Sequence, residues 1–129
     1  MRFSPILVSL AVSTFVQSQS LQVGVPVTGG IATYYNQYGQ RGRCGNIFSD
    51  NALIAAVATT RFSNSLCGQH LRVTNTATGK FVTVTIQDSC ASCSANSLDL
   101  SDGAFNALAN LAEQASGKIP SKTRRKLKI

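Results

Sequence analysis

Hydrophobic and polar positions alternate most clearly over residues 81–87. Val82, Val84 and Ile86 fall on one face, Phe81, Thr83, Thr85 and Gln87 on the other. A period of two predicts a half-buried strand running into Asp88. Residues 29–35 (GGIATYY) carry the same signature, with Ile31, Thr33 and Tyr35 alternating against Ala32 and Tyr34. Leu71 and Val73 share a face just after His70, and the segment 75–80 joins this strand to the one at Phe81 as a β-hairpin. The apolar run 51–60 (NALIAAVATT) suits a strand or a helix equally. Past Ser101, an N-cap residue, the series Phe105, Leu108, Ala109, Ala112 recurs at i, i+3, i+4, i+7 and predicts a helix. Short strands followed by one helix near the C-terminus point to a mainly β fold, a small barrel with a helix packed on it.

The ends of the chain read differently. Residues 1–20 combine Arg2, an apolar run from Pro5 to Val16 and small residues at Ser18 and Ser20. That is the pattern of a secretory signal peptide, too short to span a membrane and with no stop-transfer segment behind it. Residues 21–28 then read as a linker, 29–119 as one domain and 120–129 as a basic tail. The expected product is a secreted, extracellular monomer with no membrane span.

Charge supports this division. Six of the twelve basic residues lie in the last twelve positions and Arg2 leaves with the signal. The body keeps five basic residues against five acids, so the high isoelectric point belongs to the tail. Such a tail is a solvated end or a contact for an anionic polymer; no nucleic-acid partner is expected. Cys44, Cys67, Cys90 and Cys93 allow three pairings. An oxidising compartment favours disulfides over a zinc site or a redox CxxC. No metal and no cofactor is expected.

Two of the five acids, Asp88 and Asp99, stand at the two ends of the loop that carries Cys90 and Cys93. Two acids in one groove can divide acid and base roles in breaking a glycosidic bond. Each also has a structural use. Asp88 at a strand end can brace the following loop, and Asp99 can serve backbone donors at the helix start.

The strings GGIATYY, Cys44-Gly45, CGQHLRVTN from Cys67, VTVTIQDSCASC and LDLSDGAFNALA, in this order, resemble the six-stranded double-psi β-barrel family. That family holds the first domain of expansins, barwin-like defence proteins and rare lipoprotein A. The resemblance spans about residues 29–118. It implies a six-stranded double-psi β-barrel with an open groove that binds wall polysaccharide. Thr33, Asp88 and Asp99 match groove residues, and Tyr34 and Tyr35 stand where relatives place aromatics. Asp99 matches the acid required for wall loosening and for the lytic activity of rare lipoprotein A. The same comparison pairs Cys44 with Cys67, which leaves Cys90 with Cys93.

The sequence departs from that pattern in several places. Ser97-Leu98-Asp99 replaces the expansin His-Phe-Asp, there is no tryptophan, and at this length the second, carbohydrate-binding domain of expansins is not expected. The closing strand starts as Gly117-Lys118-Ile119, but Pro120 and Ser121 interrupt it. Proline removes a ladder donor, so a degenerate closing strand, short and irregular, or an altered C-terminal exon is expected. The leading expectation is a non-hydrolytic, expansin-like module. It would bind cellulose, chitin or peptidoglycan through Thr33, Tyr34, Tyr35, Asp88 and Asp99. The alternatives are a lytic transglycosylase-like enzyme with Asp99 as its acid and base, assisted by Asp88, and a secreted inhibitor or effector whose partner is a protease or host protein.

Overall fold

The alternating segments close on themselves. In the computed structural model, which describes residues 21–126, six strands are joined in the order β1-β5-β2-β4-β3-β6 and back to β1 as a closed barrel. The strands are β1 (Pro26–Tyr34), β2 (Ile54–Ala58), β3 (His70–Asn75), β4 (Phe81–Cys90), β5 (Leu98–Leu100) and β6 (Ile119–Arg125). Two neighbouring pairs run parallel, β1 with β5 and β2 with β4; the others are antiparallel. The expected signal peptide and the last three residues of the tail lie outside the described residues.

Period-two patterning decides what faces inward. Ala32, Ala55, Val57, Leu71, Val73 and Val84 are among the buried residues that fill the barrel. The run that periodicity left open is therefore a strand, β2. All five of its residues are buried. The predicted hairpin joins β3 to β4, with Gly79 at φ 79° in its turn.

Helical structure follows Ser101, whose Oγ accepts from the Ala104 amide. It comes as two pieces, α1 (Asp102–Leu108) and α2 (Leu111–Ser116). Phe105, Leu108 and Ala109 are buried as the periodicity predicts, whereas Ala112 is exposed. The break comes at Asn110, which caps α2 through a reciprocal capping box with Glu113. That local pairing competes with continuing the first helix through Ala109, whose backbone is extended.

The chain ends differ from expectation on both sides. β1 begins at Pro26, and Leu21 is buried in the core cluster, so part of the expected linker is packed. β6 is a seven-residue strand bonded to both β1 and β3, so much of the expected tail is barrel wall. Pro120 is tolerated because it sits second in the strand. Its carbonyl accepts from the Thr76 amide, on the side where β3 has already turned into the hairpin. The missing donor therefore falls off the end of the ladder, where proline is permitted.

One buried polar residue ties the hairpin to the helices. Asn75, fully buried, donates Nδ2 to the Leu108 carbonyl at 3.1 Å and to Glu113 Oε1 at 2.8 Å, and its Oδ1 accepts from Ala77 N. Asn75→Ala strands these partners and is expected to cost about 1–3 kcal/mol of stability, measurable by urea denaturation.

Candidate functional site

Strand register assembles the site. Thr33 on β1 lies opposite Asp99 on β5, and Ala56 on β2 lies opposite both Asp99 and Asp88 on β4. Four strands thus carry Thr33, Asp99, Ala56 and Asp88 in one row across the barrel wall. Their chain neighbours Ala32, Ala55, Val57, Leu98 and Leu100 belong to the core, so the row faces outward. Ala56, at 2 % exposure, forms a floor between the two half-buried acids. Each strand step is about 4.8 Å, which puts the two acid backbones about 10 Å apart.

Asp88 reaches this face through an irregularity. Simple alternation from Val84 and Ile86 would turn it into the core. The register between β2 and β4 shifts between Ala55 and Ala56, so that Ile86 faces Ala55 while Asp88 faces Ala56. Gln87 is the extra residue of this bulge, and the shift brings Asp88 and Cys90 out to the face of Asp99.

The two carboxylates have different surroundings. Asp88 Oδ1 accepts from the backbone amides of Arg43 at 2.8 Å and Ser89 at 2.9 Å, and Oδ2 faces the Tyr35 hydroxyl at 3.4 Å. It braces the loop after β1 against β4, one of the two uses the sequence suggests. Asp99 Oδ1 accepts from the Thr33 hydroxyl. Among the described residues no backbone amide reaches Asp99, so the helix start does not engage it, and its second oxygen is left with weak company.

That company is a disulfide. Cys44 is bonded to Cys67 and Cys90 to Cys93. Cys90 Sγ lies 3.3 Å from Asp99 Oδ2, but a disulfide sulfur has no proton to donate. The contact shields one edge of the carboxylate without satisfying it. Cys90, Cys93 and Asp99 place their sulfur and oxygen atoms within 4.8 Å of one another. With both sulfurs in the bridge no thiolate remains there to ligate a metal.

The tyrosines separate. Tyr35, just past β1, donates its amide to the Leu100 carbonyl and points its ring to the row. Burial first, and then the Asp88 carboxylate beside it, push its phenol above the usual tyrosine range. It is therefore a protonated donor at any physiological pH. Tyr34 points the other way and packs its ring on Phe105, centroids 5.1 Å apart, which keeps it from the acids. Ala56 and Arg43 are the members that sequence reasoning missed. Arg43 gives its amide to Asp88 and lays its guanidinium 4.9 Å from the Phe62 ring centre. Ala55, Ala56 and Ala58 together are the one sequence feature compatible with such a floor.

Known proteins share this arrangement of strands. The sequence model described as lytic transglycolase matches residues 27–123. A putative EG45-like domain containing protein of Arabidopsis thaliana is 37 % identical over 93 residues, covering 64 % of this chain and 73 % of the relative. A mutant expansin of Clavibacter michiganensis, solved in complex with cellohexaose, superposes with a TM-score of 0.67 at 28 % identity over 80 % of this chain. The chain spans about half of that expansin, 51 %. A Streptomyces papain inhibitor superposes with a TM-score of 0.70 at 26 % identity, over 84 % of this chain and 100 % of the inhibitor. On the six-stranded barrel and the match over residues 27–123, the chain belongs to the lytic transglycolase family of expansin-like double-psi β-barrels.

Proposed function

We propose that the protein is a secreted module that binds cell-wall polysaccharide along the row Thr33–Asp99–Ala56–Asp88, without cleaving it. The observation that carries this reading is the contrast between the acids. Asp88 is held by two backbone amides and a phenol, whereas Asp99 takes one hydroxyl, and its second oxygen, against the Cys90 sulfur, has no hydrogen-bond donor among the described residues. A sugar hydroxyl offered to that oxygen makes a charge-assisted hydrogen bond, worth about 1.5–3 kcal/mol. The Tyr35 hydroxyl extends the polar surface, and Ala56 sets no side chain larger than a methyl between the two acids. Asp88, with its oxygens engaged, is poorly placed to activate water, which favours binding over hydrolysis. The expansin with bound cellohexaose supports a β-linked glycan as the ligand class, and two disulfides suit an extracellular setting. No helix among the described residues is long and apolar enough to cross a membrane.

A second reading has its own support. The likeness to the papain inhibitor runs over that protein's whole length, which favours a cysteine protease as an alternative partner. Sedimentation with insoluble cellulose, chitin and peptidoglycan separates the readings. The proposal expects retention on at least one of them, no release of reducing ends or muropeptides, and no inhibition of papain. Soluble fragments appearing during incubation would instead make the module lytic, with Asp99 as its acid and base. Papain inhibition without retention would move the function to protein recognition.

A further inference from the structure

The barrel wall away from the acids carries a concentration of positive charge. β6 turns Ile119, Ser121 and Thr123 inward, and so sends Lys122 and Arg124 outward. β3 buries Leu71 and Val73 and sends Arg72 and Thr74 to the same outer face. Register sets Arg124 directly opposite Arg72, and Lys122 opposite Thr74. β4 continues the two rows with Thr83 beside Arg72 and Phe81 beside Thr74. Lys126 adds a further cation, its Nζ 3.4 Å from Thr83 Oγ1. An open depression of about 260 Å³ lies among Pro26, Arg72, Thr74, Lys122 and Arg124.

Like charges set directly across a ladder destabilise a sheet, and nothing here answers them. Among the described residues no carboxylate bonds to Arg72, Lys122 or Arg124. Asp88 and Asp99 lie in the row described above. Asp50 accepts from the Gln37 amide, Asp102 stands in the first turn of α1, and Glu113 is taken up by Asn75 and Asn110. The Arg72 guanidinium lies over the Phe81 ring, 3.7 Å from its centre. That contact holds the cation against the aromatic face. Phe81 itself is half exposed.

We propose that Arg72, Lys122 and Arg124 form a second binding site, for the carboxylates of an acidic polysaccharide of the polyuronate type. Arg72 and Arg124 stand on neighbouring strands, one guanidinium over Phe81 and the other beside Gly24, and each can meet a planar carboxylate of one polymer with paired N–H donors. The hydroxyls of Thr74 and Thr83 suit the sugar hydroxyls between the carboxylates, and the open edge of Phe81 suits an apolar sugar face. The bound polymer would neutralise the repulsion that the wall carries when free. From the proposed function this inference takes the class of polymer alone; the charge site itself stands on the strand register. Phe81 and Asp88 lie about 20 Å apart along β4, so the two sites can engage different chains of one matrix.

Affinity electrophoresis of the secreted protein through gels containing polygalacturonate tests the proposal. Gels with the fully methyl-esterified polymer, and competition with single-stranded DNA, supply the comparisons. Retardation is expected in polygalacturonate and not in its neutral ester. It should be lost in about 0.5 M salt, where the screening length falls to a few ångströms. Arg72→Gln/Arg124→Gln should weaken binding at least about tenfold, the loss of roughly one charge-assisted contact. Arg72→Lys/Arg124→Lys, which keeps charge and fold but lacks the planar fork, should fall between. Asp99→Asn should bind polygalacturonate as the parent does, so failure at the acid row and failure here show in different variants. The proposal is overturned if the parent is not retarded, or if the double glutamine variant runs like the parent. It is also overturned if deleting residues 127–129 abolishes binding, or if DNA competes better than polygalacturonate.

Discussion

Gly30→Ala is expected to destabilise the barrel more than any other single substitution considered for it. A Cβ at position 30 would land against the backbone carbonyl of Asn96, with the Asn96 carbon at 2.6 Å. Neither atom belongs to a flexible side chain, so β1 or the loop before β5 must move. Overpacking of this kind costs about 1–3 kcal/mol and more where backbone is struck. For a domain of this size the upper end is a fall in Tm of about 10 °C or more. The same displacement reaches the site. Two residues on, Ala32 faces Leu98, and the next pair is Thr33 with Asp99; the Ile31 amide also donates to Ser97 Oγ at 3.0 Å. Thermal unfolding followed by circular dichroism measures the first effect, and glycan binding by the surviving folded protein measures the second. A Tm within a degree or two of the parent would show that the loop yields freely, and would contradict this packing.

The second large effect is a contrast between the two acids. Asp99→Asn removes the charge from the carboxylate whose second oxygen has no donor among the described residues and should weaken glycan binding about 10- to 100-fold, the equivalent of one charge-assisted hydrogen bond. Its Tm should hardly change, because no backbone amide depends on that carboxylate. Asp88→Asn reverses the pattern. The amides of Arg43 and Ser89 lose a charged acceptor, which costs about 1–3 kcal/mol of stability, while the folded fraction still binds. Paired melting curves and binding isotherms for the two variants read out both halves. Equal loss of binding in both, with stability intact, would make the acids equivalent ligands and remove the distinction.

Much of the fold and part of the site were legible in the sequence, for separate physical reasons. Alternation identified β4 and the hairpin because their inner faces are Val and Ile and their outer faces Thr and Phe. β6 was illegible by the same rule. Its inward residues Ser121 and Thr123 are polar, and its outward residues Lys122 and Arg124 look like a tail, so no apolar period marks it as a wall. The helix break at Ala109–Asn110 left no proline or glycine as a sign. The Asn110-x-x-Glu113 box carried the information, and the apolar series running through it masked it.

At the site, Asp88, Asp99 and Thr33 could be named, but their alignment could not. It depends on the parallel pairing of β1 with β5 and of β2 with β4, and on one extra residue at Gln87. Each is a property of the closed barrel and of no single segment. Tyr34 and Tyr35 are adjacent and equivalent in sequence, yet one packs on Phe105 and the other meets Asp88, which the shift in register of β4 brings to that face.

The central claim, that glycan binds on the row between Thr33 and Asp88, is tested most directly by a residue-resolved titration. Amide resonances of the isotope-labelled protein would be followed as cellohexaose is added. The account predicts shifts concentrated at Thr33, Tyr35, Ala56 and Asp99, saturable and largely lost in Asp99→Asn. Saturable shifts confined to Arg72, Thr74 and Arg124 on the opposite wall, with the acid row silent, would contradict it.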